Sequence, residues 1–537
     1  MKMQQKSAAI FLSAVLILAT GSSATRRVGA ASLSPFPILL EGTIVTMNAT
    51  RDVIQNGHVL VRDGRIAAVW RGAHPPTGVD LRGAVRAALG PHAYIYPGLI
   101  NLHDHPFYDV LPLWQPPSSH RQPELGRPLG TEPYSNRYQW NAAGLTQPVE
   151  VARLIVNPST ILTQGNVLGR LIDVIKFGKA RMILGGTTTT QGSGSNPAYD
   201  SLLARSVESM NFGRQRILSR VGAIGSFDAN DAAALRTTMS EGLLDAWLVH
   251  LAEGVRDGDR RAGDPDSSRA EFAELKARNL LTDATVLVHG VGLEPEDFYE
   301  MAHAPAARAD GVGDGKGAKL VWSPLSNLLL YGTTAAVYDA LAAGVLVSLG
   351  TDWTPSGSPN LLTELKVADR ALRDTLLLGD RRSIVSDLTA GYGSTDGGAA
   401  ERALDQLLVE MVTINPATTV RWDDQVGSIE IGKAADLLVI DTRSAPQKGA
   451  GIPDSPYRRL IDATEQDVAL VMVGGIAQAG DVEAMASLKP GDFEVVSSPA
   501  GCFDKGIDLT APAIPNKANP PSNGLLITRS RSTKAAA

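Results

Sequence analysis

From roughly Pro91 to Val420 the chain repeats one pattern, a short apolar run that closes on polar or charged residues, followed by a longer amphipathic stretch. The runs are Tyr94 to His105, Thr187 to Ser193, Ala246 to Glu253, Thr285 to His289, Lys319 to Asn327 and Val345 to Asp352. Strand-length runs alternating with helix-length segments predict parallel strands joined by crossover helices. In a barrel of such units reactive side chains collect at the strand C-termini. The pattern therefore predicts an α/β fold and fits a (β/α)8 TIM-like barrel.

Both flanks of this block read as β. Ile44-Val45-Thr46-Met47 is a strand, and His58 to Arg62 and Arg65 to Val69 flank Asp63-Gly64, a strong hairpin turn. Ala435 to Ile440 and Val468 to Val473 are strands near the other end. A small β-sandwich domain built from both chain ends is expected. The expected divisions are a signal peptide and leader at 1–31, sandwich at 36–90 and 421–485, barrel at 91–420 and an irregular tail at 486–537. Trp114 to Trp140 is rich in Pro, Gly, Tyr and Trp and aperiodic, so it is expected as a long loop over the barrel mouth.

A chain of 537 residues exceeds one ordinary domain, and 44% hydrophobic with 20% charged residues is globular composition. The net charge of −6, with both signs interspersed, excludes a nucleic-acid-binding reading. Lys2 and Lys6, the apolar run Ala8 to Ala19 and Ser22-Ser23-Ala24 spell a signal peptide, with an uncleaved anchor as the alternative. A secreted or periplasmic location is expected, with no stable membrane span after cleavage. Cys502, the single cysteine, makes no internal disulfide.

The chemistry-bearing residues stand at the ends of the runs. His103 and His105 flank Asp104, and in a strand residues two apart point to one side. Two such imidazoles make half a metal site. His250 ends another run with Glu253 three residues on, His289 ends the next, and Asp352 closes Gly350-Thr351-Asp352. His58, His74, His92, His120 and His303 lack that setting and read as ordinary histidines.

The order His-x-His, His-x-x-Glu, His, Asp resembles the amidohydrolase superfamily, closest to its cytosine-deaminase, chlorohydrolase and methylthioadenosine/adenosylhomocysteine-deaminase branch. Ser323-Pro324-Leu325-Ser326-Asn327, Asn415-Pro416-Ala417 and Gly427 to Leu437 also resemble that branch, and the similarity runs from about Leu39 to Gly475. The resemblance implies a metal held by His103, His105, His250 and Asp352, with Asp352 also taking a proton from water. It implies that His289 polarises the substrate or bonds the attacking oxygen, and that Glu253 binds substrate and carries a proton to the leaving nitrogen. The expected cofactor is one divalent metal ion, Zn or Fe. Between Gly186 and His250 there is no lysine that could carry a bridging carboxylate, which argues for one metal. Ser323 in place of Cys, Asp104 inside His-x-His and the missing acid after Thr187 to Ser193 depart from the branch pattern and leave the substrate open.

The expected function is hydrolysis of a non-peptide C–N bond on an amino-substituted, ring-shaped small molecule, releasing ammonia or amine. The alternatives are hydrolysis of a cyclic or linear amide at the same site, or an inactive secreted binding homologue. Expected partners are the small-molecule substrate and, in one reading, further copies of the chain in a homo-oligomer.

Overall fold

The computed structural model describes residues 36–113, 121–122, 127–128, 134–141, 170–192, 202–209, 212–214, 216–222, 224–260, 267–376, 399–442, 455–498 and 503–509. The expected signal peptide, Cys502, most of the 114–140 stretch and the tail beyond 509 lie outside these residues. No helix among the described residues is long and apolar enough to cross a membrane.

The N-terminal strands are β1 (Ile38–Val45), β2 (Val53–Arg62), β3 (Arg65–Arg71), β4 (Val85–Arg86), β5 (Ala93–Pro97) and β6 (Leu99–Asn101). A short hairpin follows, β7 (Arg121–Gln122) with β8 (Arg127–Pro128). The middle holds β9 (Thr187–Thr190), β10 (Arg205–Ser206), β11 (Arg216–Arg220), β12 (Leu244–Leu251), β13 (Thr285–His289), β14 (Lys319–Trp322) and β15 (Val347–Leu349). The last five are β16 (Leu437–Asp441), β17 (Val468–Val473), β18 (Ile476–Asp481), β19 (Glu494–Ser497) and β20 (Asp504–Ile507).

The protein is α/β with two parallel sheets in its middle, β10-β9-β6 and β11-β12-β13-β14-β15. Helices separate successive strands: Ala229–Ser240 before β12, Ala270–Ala277 before β13, Pro295–Ala302 before β14 and Val337–Ala342 before β15. Asp228 caps the first of these by accepting from the backbone N–H groups of Asn230 and Asp231. Alternate strand residues point to opposite faces. Accordingly Ile100 and Leu102, Ala246 and Leu248, Val286 and Val288, and Val321 share one buried cluster drawn from both sheets. Trp422 and Val426 join the same cluster from beyond the expected barrel boundary.

A third, mixed sheet joins the chain ends in the order β19-β20-β18-β17-β16-β5-β1-β2-β3. The hairpin expected at Asp63-Gly64 is there, with both residues at positive φ, 51° and 78°, as its turn requires. β5, expected with the middle block, instead pairs with β1 and β16, so the chain leaves this sheet before β6. The tail corrects the expectation of irregular coil. Strands β19 and β20 extend the sheet through β18, although the exposed β19 carries no alternating apolar pattern that would announce it.

Candidate metal centre

The site residues stand just past the strand ends. β6 stops at Asn101, so His103 and His105 lie in the bend that follows rather than in the strand as expected. That bend is pinned across the sheet by a parallel bridge between Asp104 and Asp352 and by Asp352 N–H donating to the His103 carbonyl at 2.9 Å. Gly350 permits this approach, since a Cβ there would fall 2.4 Å from the Cβ of His103. His250 lies near the end of β12, and His289 closes β13 at φ 76°. Leu287 packs toward the outer core while Val288 faces the inner one, so strict alternation would send His289 outward. The left-handed backbone breaks that alternation, a departure that clusters at working sites.

Expected site residues converge. His103, His105 and His250 offer ligand atoms within 4.8 Å of one another, and so do His103, His289 and Asp352. His103 Nε2 is 3.0 Å from His250 Nε2 and 3.2 Å from Asp352 Oδ1, which is itself 3.4 Å from His105 Nε2. Glu253 Oε2 lies 3.6 Å from His289 Nε2.

Hydrogen-bond partners separate His250 from His289. His250 Nδ1 faces the Arg220 carbonyl at 3.2 Å, which only accepts, so Nδ1 carries the proton and Nε2 a lone pair aimed at His103. Burial, followed by the charges of His103 and His289, pushes the His250 ring well below its ordinary value. Burial likewise pushes His105 down to about 4, against the pull of Asp352. Burial would raise Asp352, but the charge and hydrogen bond of His103 and the charges of His289 and His105 outweigh it and hold the carboxyl below its usual range. Ring nitrogens of His103, His105 and His250 and a carboxylate oxygen of Asp352 thus face one point, a grouping that a cation would hold together. The donor set fits one divalent metal ion. His289 differs. Thr334 Oγ1 takes the Oδ1 of Asn327 at 3.4 Å, so Asn327 Nδ2 donates to His289 Nδ1 at 3.0 Å. The His289 proton is then on Nε2, toward Glu253, and this ring presents a donor to the site.

Several supporting residues escaped the sequence reading. Ser323, which departs from the branch pattern, sits 2.7 Å from His103 Nδ1 and orients that ring. Ser326 donates to Asp352 Oδ2 at 2.6 Å and lies 2.8 Å from Ser356, which accepts from Trp353 Nε1 at 2.5 Å, a directed chain onto the carboxylate. Tyr331 donates to Glu253 Oε1 at 2.8 Å, and Arg137 Nη1 stands 3.2 Å from Glu253 Oε2. Burial raises Glu253 to about 7, with Arg137 and Tyr331 opposing the rise. Helix Pro324–Tyr331 explains two of these residues and Asn327. Pro324 ends the run read as one strand to Asn327 and places Ser326, Asn327 and Tyr331 on a helix over the site.

Residues 280–477 match the Amidohydrolase family. The chain carries an amidohydrolase-family domain. A 5-methylthioadenosine/S-adenosylhomocysteine deaminase from Haloarcula marismortui is 27% identical over 277 residues, 50% of this chain and 55% of that one. A deaminase of the same name from Bacillus cereus is 21% identical over 456 residues, 81% of this chain and 92% of that one. The chain spans about a third to about a half of the length of the first curated relatives it matches, 55%, 35% and 34%. The chain also shares its fold with atrazine chlorohydrolase from Arthrobacter aurescens complexed with zinc, at 18% identity and a TM-score of 0.55 over 82% of this chain and 95% of that one.

Proposed function

We propose that the chain is a metal-dependent hydrolase that replaces the amino group of an amino-substituted ring carbon with oxygen from water and releases ammonia or amine. The observation that carries this reading is the convergence of the His103, His105 and His250 ring nitrogens with the Asp352 carboxylate, with Glu253 beside His289. In this reading His103, His105, His250 and Asp352 hold the ion, Zn or Fe. The bound ion supplies a Lewis acid that lowers the pKa of water toward neutrality, to about 7 for zinc in favourable sites. Asp352 takes one proton of the attacking water as its oxygen bonds to the substrate carbon. The His289 Nε2–H steadies the charge that develops there. Glu253 delivers a proton to the nitrogen as the C–N bond breaks, and the proton that Asp352 took from water replaces the one Glu253 gave, so one water is consumed per ammonia released. A carboxyl with a value near 7 suits both halves of that exchange.

The finer architecture belongs to the same proposal. Three and five parallel strands, joined on one side by the Asp104 to Asp352 bridge, support the reading of a (β/α)8 barrel. The antiparallel bridge between Arg65 and Ala434 supports folding of the flanking sheet back on itself as a sandwich from both chain ends. The N-terminal segment supports export to a secreted or periplasmic location.

The test is ammonia release by the zinc-loaded full-length protein from 5′-methylthioadenosine, S-adenosylhomocysteine and an amino-substituted s-triazine, beside a panel of cyclic and linear amides. Ammonia from an amino-substituted ring is expected. Acid release from amides without any ammonia would replace this reading with the amide-hydrolase one.

A further inference from the structure

The stretch before Asn141 follows no pattern in the sequence, yet residues 134–137 are fastened to the site loop. Tyr134 N–H donates to the Leu330 carbonyl at 2.8 Å, Val255 N–H to the Ser135 carbonyl at 2.7 Å, and Arg137 N–H to the Glu253 carbonyl at 3.0 Å. Asn136 pairs with Gly254 in an antiparallel bridge. Gly254 is required there, because a Cβ would fall 2.4 Å from the Ser135 oxygen and 2.7 Å from the Asn136 Cα. This clip buries the Arg137 guanidinium, with 4% of its side chain exposed against 2% for Glu253. Nη2 donates to the Val221 carbonyl at 2.7 Å, which fixes the fork while Nη1 stands 3.2 Å from Glu253 Oε2.

We propose that Arg137 is a positioning residue for the reaction. Its buried guanidinium turns the Glu253 carboxyl toward His289 and favours its ionised form, so that Glu253 can take back a proton as well as give one in each turnover. The inference rests on the reading of Glu253 as the proton carrier. Glu253 accepts one proton and gives one up, so the exchange is balanced over a turnover. Every charged or titratable neighbour bears on it. Tyr331 donates to Oε1, His289 stands at 3.6 Å from Oε2, and the negative charges of Asp352 and Glu271 work against ionisation. Tyr138 hydrogen-bonds Glu271 and keeps that second carboxyl occupied. Arg137 is the neighbour that sets a positive charge against them. An opposite charge at this range moves a carboxyl by about 1–3 pH units.

The test is an infrared titration of the zinc-loaded full-length protein, following the protonated-carboxyl band that Glu253→Gln removes. In Arg137→Gln the midpoint of that band is expected to rise by about one pH unit or more, roughly a tenfold loss of carboxylate at a pH between the two midpoints. In Arg137→Lys, which keeps the charge and loses the fork, the midpoint should stay near wild type. An unmoved midpoint in Arg137→Gln overturns the proposal while leaving Glu253 in its role. If Arg137→Gln does not fold, a rise in Arg137→Lys as large as about one unit overturns it as well, since the charge is still present. Undiminished ammonia release by Glu253→Gln would sink the reading of Glu253 itself, and the proposal with it.

Discussion

Replacing Asp352 with Asn removes a charge and leaves a shape. Asp352 sits at φ 62°, a left-handed conformation that Asn adopts more readily than most residues. The new amide can keep its oxygen toward His103 and His105 and turn its nitrogen to Ser326, whose hydroxyl accepts as well as donates. The fold should therefore survive. What disappears is the anionic oxygen 3.2 Å from His103 Nε2 and 3.4 Å from His105 Nε2. A neutral amide cannot take a proton from water. Loss of a general base lowers rate by about 10²–10⁴, which is about 3–5 kcal/mol of barrier. Weaker retention of the ion by three imidazoles adds to that. The assay is ammonia release from the best substrate of the panel, with metal content equalised by added zinc and folding followed by thermal melts. Turnover should fall at least about a hundredfold while the melting temperature moves by only a few degrees. Near-wild-type turnover would refute the assignment of Asp352 as the base, whatever the fold.

Two further changes probe other parts of the account. His289→Asn should leave zinc content nearly unchanged while lowering turnover, because the ring's lone pair points to Asn327 and its proton to the site; loss of the metal would show His289 to be a ligand. Glu364, fully buried behind the helix that carries Ser326, is pushed up by burial to about 8, from 4.5 when exposed, and accepts from Leu325 N–H at 3.0 Å. A raised folded value means that its contribution to stability is complete below about 4.5 and is lost as pH climbs through about 8. Glu364→Gln should therefore melt higher than wild type at about pH 9 and lose less between about pH 6 and pH 9; parallel melting curves would show that the carboxyl is not held neutral.

The sequence was legible where chemistry repeats locally. The apolar runs became strands because each needs only its own residues to bury a face, and Asp63-Gly64 made its turn because that dipeptide satisfies positive φ without help from afar. The clustering of the candidate site residues was legible for the same reason, since each closes a run. What stayed hidden is held by partners distant in sequence. Strand β10 is two residues long, and its Arg205 is buried by a bidentate pairing with Asp436, 231 positions away, at 2.7 and 3.0 Å. Arg137 lies in an aperiodic stretch, and its position is set by Glu253 and Val221 rather than by neighbours. Ser323 read as a flaw because the hydroxyl's partner, His103, is 220 positions away.

The central claim is that one divalent ion, held by His103, His105, His250 and Asp352, makes this chain a hydrolase. Elemental analysis of the purified full-length protein, taken together with ammonia release before and after chelation, tests it most directly. The account predicts close to one zinc or iron per chain, loss of turnover on chelation and recovery on adding back one equivalent. Two ions per chain joined by a bridging ligand, or turnover that persists in metal-free protein, would contradict it.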